Sequence, residues 1–152
     1  MQHKRPTRKA MFVSAVFVAA GLALTGCGGG DSGGSAEPLD LANAEGSWTL
    51  ESGKGPEGDF KPIADEPVTL EITADGSFSG TSGCNNIFGT MTIDAGSVEM
   101  GPIGQTMMAC EEDAMELETK YTQALDSVDA GEVDGEELTL TGPSTEIHYK
   151  KA

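Results

Sequence analysis

Positive charge is scarce in this sequence. Of its 152 residues, nine are Lys or Arg and 25 are Asp or Glu, which gives a formal net charge of −16. Four of the nine basic residues lie within the first nine positions, so the chain after residue 26 carries five positive against 25 negative side chains, a net charge of −20. Proteins bind nucleic acid with Lys and Arg side chains that displace counterions from phosphates. The composition therefore excludes nucleic acid as a partner.

No apolar run in the sequence is long enough to span a membrane as a helix. The longest, residues 10–24, has about 15 residues, whereas a spanning α-helix needs roughly 20. It follows a basic start, and this order of charge and apolarity is typical of a secretion signal peptide. The LTGC segment ending at Cys27 resembles the bacterial lipobox, in which the cysteine is lipidated and becomes the mature N-terminus. We therefore predict a lipoprotein signal peptide over residues 1–26 and lipidation of Cys27.

The predicted lipid would attach the mature chain to a membrane. Two acyl chains hold a protein on a bilayer far more durably than one. We expect the mature protein to be anchored in the cell membrane and to face away from the cytoplasm. Gly28, rather than Asp, follows the lipidated cysteine, which permits transfer to the outer membrane in a cell that has one.

Apolar periodicity is missing from the segment after Cys27. Residues 27–45 are rich in Gly and Ser, and such a composition is typical of a flexible linker. We predict that this segment is a tether. The remaining residues, 46–152, are enough for one domain and too few for two.

Alternation of apolar and polar residues dominates this domain. In VTLEIT, Val68, Leu70 and Ile72 share one face, which is the pattern of a half-buried strand. Asp75 and Gly76 then favour a tight hairpin turn. The same alternation recurs at Trp48, Leu50, Met91, Ile93, Val98, Met100, Leu138, Leu140, Ile147 and Tyr149. These positions predict an antiparallel sheet.

Two segments depart from the strand pattern. Residues 111–128 place Ala114, Leu117 and Tyr121 at helical spacing after an acidic start, which predicts one α-helix. Residues 54–67 contain three prolines and little periodicity, which predicts a loop. The acidic stretch 129–137 lacks the ligand spacing of an EF-hand and is predicted to be a strand and turn.

The sequence has only three cysteines. If Cys27 carries lipid, the exported domain keeps Cys84 and Cys110, and an even pair outside the cytosol favours a disulfide. A nucleophilic thiol would need a basic neighbour. His148 is the only histidine after residue 26, and the strand alternation points it toward solvent.

Metal and carboxylate chemistry leave weaker signals. A zinc site lacks CxxC spacing and enough Cys and His ligands. Copper(I) stays open as an alternative, because Met107, Met108 and Cys110 are soft ligands close together in the sequence. A carboxylate-based hydrolase also stays open, although no two of the many acidic residues are marked as a pair.

Four segments, taken in this order, resemble the META domain family, which includes HslJ-type envelope lipoproteins. They are GSWTL at residues 46–50, ADGSFSGTSGCNNIFG at 74–89, TMMAC at 106–110 and MELETKYTQAL at 115–125. The resemblance covers almost the whole predicted domain. We therefore predict a META domain over residues 46–152.

The family pattern is G-C-N-x-x-x-G followed by T-x-M-A-C. The matching residues are Gly83, Cys84, Asn85, Gly89, Thr106, Met108, Ala109 and Cys110. Met91 stands where the family prefers an aromatic residue. The resemblance implies an α+β fold, a mainly antiparallel, barrel-like β-sheet with one α-helix packed against it, and pairing of Cys84 with Cys110.

The family has no established enzymatic activity, so the resemblance implies a non-catalytic binding or stress-protective module. Neither the resemblance nor the residues indicate a metal or other cofactor. The partners we expect are the membrane, through the lipid, and an envelope protein. An alternative is an inhibitor of a protease or other envelope enzyme, acting through the loop from Lys54 to Pro67.

Overall fold

The computed structural model describes residues 35–152; the predicted signal peptide and Cys27 lie outside them. The described part contains eleven strands and two helices. In chain order they are β1 (Glu37–Pro38), α1 (Leu41–Ala44), β2 (Gly46–Gly55), β3 (Gly58–Phe60), β4 (Val68–Ile72), β5 (Ser77–Ser82), β6 (Asn86–Asp94), β7 (Ser97–Met100), β8 (Gly104–Gln105), α2 (Glu112–Asp126), β9 (Ala130–Asp134), β10 (Glu137–Gly142) and β11 (Thr145–Lys151).

Eight of these strands form a closed antiparallel barrel in the order β2, β4, β5, β6, β7, β9, β10 and β11. The ring closes where Ser97 of β7 pairs with Ala130 of β9, a contact we call the seam. The short strands β1, β3 and β8 pair with β9, β2 and β6 from outside this ring. The predicted fold class, a mainly antiparallel, barrel-like β-sheet with one α-helix packed against it, is confirmed, and that helix is α2.

The barrel interior holds the apolar residues that alternate along the strands. Trp48, Leu70, Leu140 and Ile147 are fully buried, and each lies on the strand face that the alternation predicts to be inward. Met91 is also buried, in the position where the related family prefers an aromatic residue. Burying these side chains is the main favourable contribution to folding of such a domain.

Helix α2 packs its apolar face against β2, β3, β5 and β11. Ala114, Leu117 and Tyr121 are buried, as the helical spacing predicts. The Tyr149 hydroxyl of β11 donates a 3.1 Å hydrogen bond to the Tyr121 hydroxyl, and burial raises the pKa of both groups, so both stay neutral. Within residues 35–152, no helix is both long and apolar enough to cross a membrane.

The predicted tether is wrong over its last part, because residues 37–45 are ordered against the barrel. Leu39 is fully buried beside the seam, where its N–H donates to Gly131 (3.0 Å) and its carbonyl accepts from Gly96 (2.9 Å). The short helix α1 follows, and its Ala44 carbonyl accepts a 2.8 Å hydrogen bond from the Trp48 indole. The domain therefore begins before Gly46.

The predicted loop from Lys54 to Pro67 is also wrong in part. It contains β3, which pairs with the end of β2 across a two-residue turn, with Gly55 opposite Gly58. Gly58 has φ +104°, a conformation that glycine adopts without steric cost. The prolines that suggested a loop lie in the turn and after β3, so they remove no hydrogen bond between β2 and β3.

Leu39 supplies a test of where the domain begins. We expect Leu39→Ala to lower the free energy of unfolding by about 2–5 kcal/mol, because it leaves a cavity at the seam. Leu41→Ala, the same change at a half-buried position two residues away, is the matched control and should cost less. Denaturant unfolding measures both. Equal stability of the Leu39 variant and the parent chain would contradict a structural role for residues 37–45.

Candidate functional site

Most residues of the family motif meet where the turn between β5 and β6 faces the start of α2, whereas Gly89 lies further along β6 opposite Phe78. Cys84 in that turn is joined to Cys110, with their Cα atoms 5.9 Å apart, so the predicted disulfide is present. It links two segments 26 residues apart in the sequence. Closing a loop of that length stabilises a fold by about 3.5 kcal/mol in the chain-entropy model.

Asn85 is the centre of the hydrogen bonds at this junction, and it is almost fully buried. Its side-chain oxygen accepts from the Thr106 hydroxyl (2.8 Å) and from the Met108 N–H (2.7 Å). Its amide nitrogen donates to the Met108 carbonyl (3.3 Å) and to a carboxylate oxygen of Glu118 (3.1 Å). A single side chain thus fixes the segment before Cys110 and the helix that follows it. We call this set of contacts the Asn85 junction.

Glu118 of α2 completes the junction and is absent from the predicted site residues. Its carboxylate also accepts hydrogen bonds from the Asn85 N–H (3.0 Å) and from the Ser82 hydroxyl, which is fully buried. A sequence signal for it exists: Glu118 lies four residues after Ala114 and three before Tyr121, on the helix face that is otherwise apolar. A carboxylate in that position needs hydrogen-bond donors from the partner surface.

Steric constraints explain why glycine occupies motif positions 83 and 89. Gly83 has φ +96°, and a Cβ atom there would lie 3.0 Å from the Leu117 side chain of α2. A Cβ atom on Gly89 would lie 2.7 Å from the Phe78 ring and 2.9 Å from the Pro102 carbonyl. Glycine is therefore required for the turn at the first position and for close packing at the second.

The remaining motif residues are exposed. Met108 exposes 58% of its surface and Ala109 is also exposed; the neighbouring Met107, which is not a motif residue, exposes 94%. Because Cys110 is oxidised, its sulfur is not a thiolate, and the copper(I) alternative loses its strongest ligand. Among residues 35–152, no three His, Cys, Asp or Glu side chains form a group suited to a metal ion.

A groove of about 480 Å³ lies where the β2–β3 hairpin meets β11. We call it the hairpin groove; it is lined by residues 52–54, residues 59–61, Glu146 and His148. Gly53 and Phe60 face each other across the hairpin, and a Cβ atom on Gly53 would lie 2.3 Å from the ring. The absence of a side chain at position 53 is therefore what lets the Phe60 ring lie there.

A β-bulge shapes the strand beside the groove. Between His148 and Tyr149 the pairing of β11 with β2 shifts by one residue. Bulges of this kind redirect side chains and are frequent beside functional sites. His148 lies on the outer face, as its alternation predicts, with its ring nitrogen 3.1 Å from a Glu146 carboxylate oxygen. The sequence does not mark the groove, because it is built from a hairpin that was predicted to be a loop.

Comparison with known proteins concerns family and fold. The sequence model of the META domain matches residues 40–152. An NMR structure of a protein from Burkholderia xenovorans is 24% identical with a TM-score of 0.62, over 82% of this chain and 97% of that one. A crystal structure of a DUF4847 family protein from Bacteroides vulgatus is 17% identical with a TM-score of 0.54, over 71% and 93%. No curated protein matches the sequence.

The Asn85 junction predicts that replacing one carboxylate oxygen of Glu118 by an amide nitrogen destabilises the domain. We expect Glu118→Gln to lower the free energy of unfolding by about 1–3 kcal/mol, because the amide places N–H groups where Asn85 and Ser82 donate. Glu116→Gln is the control on the same helix, since that carboxylate is exposed and its one ion pair within residues 35–152 is with Lys120. Thermal unfolding compares the two. A Glu118 variant as stable as the Glu116 variant would show that the junction does not hold the helix.

Proposed function

This chain belongs to the META domain family, and from that premise we propose that it is a lipid-anchored protein of the cell envelope that binds a partner through the hairpin groove without catalysing a reaction. The groove is the observation that carries the proposal. Its volume lies in the range of ligand pockets in proteins, about 300–1,000 Å³. Its walls come from β11 and β2 of the barrel and from β3, which pairs with β2 outside the ring.

The use of the motif residues supports a non-catalytic role. The buried polar atoms of the motif turn and the facing carboxylate bond to one another at the Asn85 junction, and both cysteines are consumed by the disulfide. A nucleophile or general base must instead present a free group to a substrate. The motif residues therefore have a structural role, because they hold α2 against the barrel. We assign binding to the hairpin groove, which is open to solvent.

The envelope location rests on the N-terminal sequence. A basic start, a short apolar run and the LTGC segment occur in the order that lipoprotein processing requires. A disulfide in the domain agrees with an oxidising compartment outside the cytoplasm. In this proposal the lipid on Cys27 holds the domain at the cell membrane, or at the outer membrane where the cell has one.

A second candidate function is inhibition of a protease or other envelope enzyme. The turn of the β2–β3 hairpin favours it, because Pro56 and Glu57 are exposed at the end of a rigid two-stranded ribbon. An inhibitor of this kind would use the hairpin tip, whereas the main proposal uses the groove along its side.

The anchor is tested by replacing the predicted lipid site. We expect Cys27→Ser to move the protein from the membrane fraction to the soluble fraction, because the thioether to the lipid cannot form. Labelled palmitate should be incorporated into the parent chain and not into the variant. The melting temperature of the domain should stay unchanged, which separates loss of anchoring from loss of folding. A variant that stays in the membrane fraction and still takes up label would contradict the assignment.

The groove is tested by crosslinking in the cell. A photocrosslinking amino acid placed at Ser52 or Lys61 in the groove should give one discrete adduct. The same amino acid at Glu99, an exposed position of β7 on the opposite side of the ring, is the control. Purified domain should compete for the adduct, and Cys84→Ser, which we expect to melt at a much lower temperature, should lose it. Identical adducts from all three positions would exclude the groove as the binding surface.

A crosslinking position at Glu57 separates the two candidate functions. An adduct formed from Glu57 and not from Ser52 favours the inhibitor. An adduct formed from Ser52 and Lys61 favours the groove.

A further inference from the structure

Three of the five methionines in residues 35–152 are exposed to solvent. Met107 exposes 94% of its surface, Met108 58% and Met115 46%. Met91 exposes only 4%, inside the barrel, and Met100 is partly buried against the core. An apolar side chain in solvent gains little from burial, so packing does not explain the exposed methionines. Their sulfur atoms are open to reagents from which the fold shields Met91.

The other readily oxidised side chains of the described residues are protected. Cys84 and Cys110 are joined in a disulfide, so neither presents a thiolate. Trp48 and both tyrosines are fully buried. A thioether is oxidised to a sulfoxide, which turns a flexible apolar side chain into a polar one. An oxidant that approaches residues 35–152 from solvent therefore meets the adjacent sulfur atoms of Met107 and Met108, which we call the methionine pair.

The backbone around the methionine pair is fixed without the help of the two side chains. The Met108 N–H donates to the Asn85 side-chain oxygen (2.7 Å), and the Met108 carbonyl accepts from the Asn85 side-chain nitrogen (3.3 Å). Before the pair, the Thr106 N–H donates to the Asn86 carbonyl (3.0 Å). After it, the disulfide holds Cys110. An oxygen atom added to either exposed sulfur lies in solvent and breaks none of these contacts.

We propose that Met107 and Met108 form a site of reversible oxidation, at which hydrogen peroxide is reduced to water and each thioether becomes a sulfoxide while the domain stays folded. The sulfur lone pair attacks one peroxide oxygen, so an S–O bond forms and the O–O bond breaks. The leaving hydroxide takes the proton of the transferred hydroxyl, and the sulfur loses the two electrons that the peroxide gains. A methionine sulfoxide reductase reverses the change with two electrons and two protons from a dithiol, which becomes a disulfide, and the oxygen leaves as water.

The charge of the domain favours an uncharged oxidant. Residues 35–152 carry 24 carboxylates and five lysines, a net charge of −19, and the exposed Glu111 and Glu112 follow directly after Cys110. A field of this sign lowers the local concentration of anions. Hydrogen peroxide is neutral at physiological pH, so the field does not repel it. This is the reason for choosing a neutral peroxide rather than an anionic oxidant.

Oxidation measured at each methionine tests the proposal. The full chain carrying Cys27→Ser is treated with hydrogen peroxide, and peptide mass spectrometry follows the gain of one oxygen atom at each sulfur. Because the exposed fractions are 94% and 4%, we expect Met107 to react about tenfold or more faster than Met91 in the folded domain. Met108 should follow Met107. In denaturant the rates should become equal, which would show that the fold sets the order.

The stability of the oxidised protein tests whether the site tolerates the change. Protein oxidised at Met107 and Met108 should keep the melting temperature of untreated protein, and a methionine sulfoxide reductase with a dithiol should return both thioethers. Oxidation of Met91, forced by longer treatment, should lower the melting temperature, because a polar sulfoxide then lies in the barrel core.

Matched variants make the test specific. Met107→Leu combined with Met108→Leu removes both sulfur atoms and keeps apolar side chains of similar size. This variant should consume less peroxide than the parent chain, by the two equivalents that the pair takes up. Met100→Leu, the same change at a partly buried position, should consume as much as the parent chain over the same interval.

Three results would overturn the proposal. They are equal oxidation rates of Met107 and Met91 in the folded domain, a lower melting temperature after oxidation of the methionine pair, and sulfoxides that the reductase does not return to thioethers. The crosslinking of the hairpin groove is a separate measurement, and its outcome does not bear on this site.

Discussion

The attachment of α2 to the barrel depends on one buried amide side chain. Asn85 uses its oxygen for the segment before Cys110 and its nitrogen for Glu118, so the chain entering the helix and the helix itself are fixed by the same group. The disulfide beside it limits how far these segments separate when the hydrogen bonds open. Leu117 and Tyr121, on the same helix, are buried against the barrel. Polar contacts of this kind specify an arrangement, while apolar burial supplies most of its stability.

Patterns of local origin were readable from the sequence. The alternation around Leu70 and Leu140 predicted strands because every second side chain of a strand lies on one face, and those faces are buried here. The spacing of Ala114, Leu117 and Tyr121 predicted α2 for the corresponding reason in a helix. The disulfide followed from an even cysteine count and from the family resemblance. These inferences needed only neighbours in the chain or a known motif.

Features formed by segments that are far apart in the chain could not be predicted from the sequence. Leu39 lies in a stretch whose composition resembles a linker, and it is ordered only because Gly96 and Gly131 come together at the seam. The β3 side of the hairpin was predicted to be a loop because prolines flank this short strand and it shows no clear alternation of apolar and polar residues. The hairpin groove requires that hairpin, β11 and a bulge in one place. Composition and periodicity describe local segments, so they do not predict which distant strands become neighbours.

The seam has a mechanical consequence. The strands β7 and β9 share a single residue pair, and the chain from the N-terminal side enters the barrel beside them as β1 and Leu39. Tension applied from that side is therefore borne first by two β1–β9 residue pairs and the hydrogen bonds of Leu39, before any strand of the ring is loaded. Because the two hydrogen bonds of Leu39 join Gly96 on one side of the seam to Gly131 on the other, detaching this segment also removes two of the contacts that bridge the seam.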